Sequence, residues 1–174
     1  MKRDPSPEAL RTSLRLFRVT RTFTGIRDEQ KLILILNALQ RFSRNGISSP
    51  VKNVTSLAEQ FRADFGRYNL SAASKLLWLT FRSPYIIYDA RAVAALKLLK
   101  PGFKNKDYAE YYAAWKTAFT EHESAVMRAA QRVPKLHPFF VTWRETQASL
   151  TPISKQRWFL ERIFDNYLWE LGDG

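Results

Sequence analysis

A chain of 174 residues, 45% apolar and 14% aromatic, is long and apolar enough to build a core, which excludes a disordered tail. It has no cysteine, so disulfides, thiolate zinc sites, iron–sulfur clusters and a cysteine nucleophile are excluded, and two histidines (His122 and His137) argue against a histidine-rich metal centre. The net charge of +12 points to nucleic acid or another polyanion as the partner.

That charge is uneven. Residues 1–50 carry 10 basic against 4 acidic side chains, and residues 51–100 carry 8 against 3. Residues 101–150 carry 7 against 5, and residues 151–174 carry 3 against 4. The basic surface therefore belongs to the first hundred residues. No apolar run is long enough to span a membrane, and MKRDPSPEAL has no apolar core of a secretory signal. A cytoplasmic, nucleoid-associated monomer is expected.

Residues 1–5 are expected to be a disordered start. Ser6-Pro7-Glu8 then reads as a helix start: a capping serine, proline at the first helical position and an acid in the first turn. The helix is predicted to reach about Phe23, with Arg11, Arg15 and Arg18 on one face and Leu10, Leu14 and Phe17 on the next. A second helix is predicted from about Arg27 to Arg44, stopped by Asn45-Gly46, and its centre LILILNAL reads as buried. Residues 46–54 read as a loop, with Thr55 or Ser56 capping a helix to about Tyr68.

Ser71 is the predicted cap of the next helix, and Pro84 ends it. Tyr85-Ile86-Ile87-Tyr88 reads as extended, and Asp89 caps a helix to Leu99, stopped by Pro101-Gly102. A long helix follows over about 106–132, with Tyr108, Tyr111, Tyr112 and Trp115 as a core stripe. Residues 133–153 read as irregular, with His137 closing a turn or stabilising an intermediate. Ser154 caps the last helix, whose Phe159, Ile163 and Tyr167 read as core. The sum is an all-α chain of seven or eight helices forming a single domain over 1–174.

Residues 71–91 carry the chemistry. With Ser71 as cap, Lys75 lies near the fourth helical position, where the helix dipole opposes a cation and favours the nucleophilic neutral amine. The free N–H groups of that turn suit a phosphate, so Ser71 and Ser74 are candidate DNA contacts. Lys75, Trp78, Leu79 and Arg82 share one face, on which an aromatic beside two cations can support stacked bases. Arg82 and Arg91 flank the stretch and can hold phosphates. The plain alternatives are a solvated lysine, a core tryptophan and an aspartate that only caps.

The pattern Ser71, Ser74, Lys75, Leu77, Phe81, Pro84, Ile87, Asp89 and Arg91 resembles prokaryotic proteins with the 8-oxoguanine DNA glycosylase fold, in the helix-hairpin-helix glycosylase superfamily. The ending RIFDNYLWELG, residues 162–172, is similar to their final helix. The resemblance implies an enzyme that extrudes a nucleotide from double-stranded DNA and excises a damaged or modified base. It implies Lys75 as nucleophile at the sugar C1′, with strand cleavage by β-elimination, and Asp89 as electrostatic partner and proton shuttle. It implies a late helix lining the base pocket, here with Trp158, Asp165 and Trp169, and no cofactor. Arg11, Arg15 and Arg18, with Arg82 and Arg91, would hold the DNA backbone. The service would be base-excision repair, or attack on foreign DNA as in phage defence.

One departure stands out: Tyr68-Asn69-Leu70-Ser71 has no glycine where the family's hairpin has a glycine-rich turn. It leaves open a second reading, a helical module that binds DNA or a modified base without cutting it.

Overall fold

In a computed structural model, the structure describes residues 7–16, 28–45, 49–136 and 147–173. Arg18, Phe17 and His137, singled out in the sequence, lie outside them. All regular structure among the described residues is helical, as expected. The helices are α1 (Pro7–Leu16), α2 (Glu29–Asn45), α3 (Pro50–Phe65), α4 (Leu70–Phe81), α5 (Ala90–Leu99), α6 (Tyr108–Arg132), α7 (Gln147–Ile153) and α8 (Arg157–Leu171), with a 3-10 turn at Val133–Leu136. None is long and apolar enough to cross a membrane. The chain groups into two compact units, Met1–Tyr88 and Asp89–Gly174.

In the first unit α1 packs on α2, and α4 packs on α2 and α3. Leu10 and Leu14 are buried, which is the stripe expected of α1. Helix α2 is apolar along its centre but not buried all round. Leu32, Ile35, Leu36, Ala38 and Leu39 face the core, whereas Ile33 and Leu34 are 45% exposed.

Helix α3 starts earlier than expected. Ser49 is its cap, accepting the Lys52 N–H, and Pro50 takes the first helical position. Thr55 instead bonds back to the carbonyls of Val51 and Lys52 inside the helix. The helix closes at Gly66, whose φ of +73° is the left-handed conformation that glycine adopts at no steric cost.

The cap of α4 also moves. Asn69, not Ser71, accepts the Ala72 N–H, at 2.9 Å. Asn69 is buried, and the four residues Leu70 to Ala73 begin the helix ahead of Ser74.

In the second unit α8 packs on α5 and α6. Helix α6 opens on Asp107, whose side chain accepts the Glu110 N–H. The Glu110 carboxylate in turn takes the N–H groups of Lys104 and Lys106, and these bonds hold it below the usual carboxylate range. Tyr108, Tyr111 and Trp115 are fully buried and Tyr112 half-buried, as the spacing predicts. Trp115 stacks on Phe119 and meets the edge of Phe164.

The stretch read as irregular contains α7, with Pro152 inside it. Ser154 caps nothing; it is buried, and its hydroxyl donates to the Thr151 carbonyl at the end of α7. Helix α8 begins after Gln156 with no side-chain cap. Its buried stripe is Leu160, Phe164 and Leu168. The expected stripe lies one residue earlier, with Phe159 and Ile163 half-buried and Tyr167 42% exposed.

Candidate functional site

The stretch from Ser71 to Arg91 folds as two helices joined by a compact turn. Helix α4 ends at Arg82, whose N–H bonds the Trp78 carbonyl and whose own carbonyl accepts the Tyr85 N–H. Arg82 sits at φ +60°, ψ −132°, a conformation that L residues rarely adopt. Strain of this kind costs on the order of 1–3 kcal/mol and persists only where the surroundings impose it. Tyr85, Ile86 and Ile87 are buried. The Tyr85 hydroxyl accepts from Asn53 of α3 at 2.8 Å, and burial pushes its pKa up against the lowering effect of that bond.

The turn is then tied back onto α4. Ser74 Oγ accepts the Tyr88 N–H at 2.9 Å across 14 residues, and donates to the Ser71 carbonyl. The tie joins the residues immediately before Lys75 and immediately before Asp89. Its loss has a measurable cost. Replacing Ser74 by alanine leaves the Tyr88 N–H without this acceptor and should lower unfolding free energy by about 1–2 kcal/mol in urea titration. An unchanged midpoint would mean the bond contributes nothing.

Asp89 is the cap expected of it. Its Oδ1 accepts the Arg91 N–H at 3.1 Å, with extended backbone at the cap itself. Lys75 is half-buried. Because α4 starts at Leu70, Lys75 is its sixth residue, not its fourth. The helix macrodipole acts within the first turn, and Lys75 lies beyond it.

Several expected contacts are placed elsewhere. Ser74 is fully buried and its hydroxyl is used in the tie, so it is not presented to DNA. Trp78 is buried in the first unit rather than open on the Lys75 face. Ser71 is half-buried and Arg82 exposed. On α1, Arg15 is exposed and Arg11 half-buried. Trp158 is half-buried, with its indole N–H donated to the Gln156 side chain.

Asp165 is not directed at a base edge. It is buried, and its Oδ1 accepts the Trp115 indole N–H at 2.9 Å, with Arg162 at 4.0 Å from Oδ2. Burial first, with a smaller contribution from the charges of Glu161 and Asp89, raises its pKa to about 7 against the lowering effects of Arg162 and Trp115. Glu161, buried four residues earlier, is held by Arg157 at 3.1 Å, and Arg157 also reaches Glu123 and lies over Phe119. Sequence spacing offers no sign of this network; only the indole at 115 and the acid at 165, both on apolar helix faces, hint at a need for each other.

Trp169 is 38% exposed, with one face covered by the Arg91 guanidinium at 3.8 Å. Arg91 also pairs with Asp173 at 2.6 Å. Two residues expected at DNA thus face each other.

The site and fold together define an all-helical protein with a lysine-bearing helix, a strained and tethered turn, and an aspartate-capped helix in sequence. Compared with known proteins, the chain matches no family model, no curated protein and no solved structure.

Proposed function

We propose that the protein is a DNA glycosylase with abasic-site lyase activity. Lys75 attacks the sugar C1′ of an extruded nucleotide, the N-glycosidic bond breaks, and the base leaves with the electron pair of that bond and a proton. The C1′–O4′ bond then opens, with O4′ taking a proton, to leave a Schiff base, and loss of a C2′ proton from it allows β-elimination of the 3′ phosphate. The Asp89 carboxylate offsets the positive charge that develops on the sugar and carries protons. Arg11, Arg15, Arg18 and Arg82 hold the phosphate backbone, and Trp158 is the aromatic left to stack the base.

The observation that carries this reading is the Ser74–Tyr88 bond, which fixes the turn between the lysine helix and the aspartate cap. Holding the turn onto the helix that bears Lys75 suits a nucleophile, since about 1 Å of misplacement can cost roughly 100-fold in rate. The positive φ at Arg82 supports it, because strained non-glycine backbone gathers at functional sites. The basic balance of the first hundred residues supports a DNA partner.

The test is borohydride trapping on a duplex with a single abasic site. Wild-type protein is expected to form a covalent adduct, and Lys75→Ala none. An adduct in both would place the nucleophile on another amine. Salt-sensitive binding to the duplex, with neither an adduct nor any base released from modified duplexes, would establish the binding module instead.

A further inference from the structure

Arg91 is held from three directions, two residues past the Asp89 cap. Its backbone N–H is bound by Asp89 Oδ1 at 3.1 Å. Its guanidinium lies 3.8 Å above the Trp169 ring and 2.6 Å from the Asp173 carboxylate. Its backbone carbonyl is covered by Gly172. A Cβ at residue 172 would sit 2.0 Å from the Arg91 oxygen and 2.7 Å from its carbonyl carbon, so only glycine fits there. All of these groups belong to the second unit.

Each contact has a different physical character: a hydrogen bond, a cation over an aromatic face, an ion pair and a steric fit. Together they fix both backbone polar groups and the side chain of one residue in the first turn of α5. Three of the four are supplied by the last residues of the chain, 169, 172 and 173.

We infer that the C-terminal segment Trp169–Asp173 is a positioning clamp. It fixes the first turn of α5 through Arg91 and so sets the orientation of the Asp89 carboxylate. Arg91 and Trp169 are positioning residues rather than contacts for phosphate and base. A cation over an indole and beside a carboxylate is already matched in charge and geometry, and a phosphate would have to displace Asp173. The catalytic part of this inference rests on the glycosylase reading.

The experiment uses the full chain and a duplex with one abasic site, under single-turnover conditions. Gly172→Ala is expected to slow strand cleavage at least tenfold while affinity for the duplex is unchanged. Asp89→Asn is slower still, and the double variant Gly172→Ala/Asp89→Asn is no slower than Asp89→Asn alone, because the clamp acts through Asp89. An equal further loss in the double variant, or full activity in Gly172→Ala, overturns the inference.

Where Gly172→Ala does not fold, Asp173→Asn removes only the ion pair and is used in its place. If the wild type cleaves nothing, the glycosylase reading has failed, and amide hydrogen exchange decides the clamp itself. Exchange of the Arg91 N–H is then expected to be at least tenfold faster in the clamp variant than in wild type. Equal exchange means that there is no clamp.

Discussion

Replacing Asp165 by asparagine is expected to stabilise the protein at pH 8 and to change it little at pH 4.5. The carboxyl is buried, and its pKa rises from the ordinary 3.8 to about 7 in the fold. The folded state therefore holds a proton that the unfolded chain releases. Stability from that proton is complete below about pH 3.8 and is lost as pH rises towards 7. Above 7 the protein bears the cost of a buried charge, up to about 4 kcal/mol from a shift of roughly three units. Asparagine is always neutral, and its side-chain oxygen still accepts the Trp115 indole N–H. It gives up only the 4.0 Å approach of the part-exposed Arg162, a loss on the order of 0–1 kcal/mol. Urea titrations of both proteins at the two pH values measure the gap. A gap that does not widen with pH would mean that Asp165 is ionised throughout in the fold.

Asp165 also marks where the sequence stops being legible. Its partner Trp115 lies 50 residues away on another helix, and no local pattern announces a bond of that span. Local signals did better where one residue had one candidate role. The caps Asp89 and the α6 stripe Tyr108, Tyr111 and Trp115 follow from capping chemistry and helical period. They fail where neighbours compete. Asn69 and Ser71 both cap well, and Asn69 wins because its oxygen meets the Ala72 N–H as Ala72 and Ala73 bury. Ser49-Pro50 repeats the serine–proline signature of Ser6-Pro7 and starts α3, with its cap six residues ahead of the less favoured Thr55. In α8 the stripes 159–163–167 and 160–164–168 have the same spacing; only the faces of α5 and α6 decide between them. The pairing of Arg91 with Trp169 and Asp173 is as long-range as that of Asp165, and as silent.

Asp89→Asn is expected to lower base release by about 100- to 1,000-fold while leaving the fold in place. The substitution separates two roles that alanine would remove together. Asparagine caps a helix about as well as aspartate, so its side-chain oxygen continues to accept the Arg91 N–H. The fold loses the attraction between a carboxylate and the α5 N-terminus, about 0.3–1 kcal/mol. Alanine would in addition lose the cap, at about 1 kcal/mol, and free the first turn of α5. A fall in rate for asparagine therefore reports the charge itself. That charge matters only in the transition state, where the sugar becomes positive; bound ground-state DNA has no such centre. The expected pattern is a single-turnover rate that falls with affinity for the same duplex held constant, since a lost transition-state interaction lowers rate and not binding. Duplexes carrying oxidised, alkylated or hypermodified bases, screened first with wild type, supply the substrate. A variant that released base at the wild-type rate would leave Asp89 as a structural cap alone, and the excision chemistry would have to come from another group.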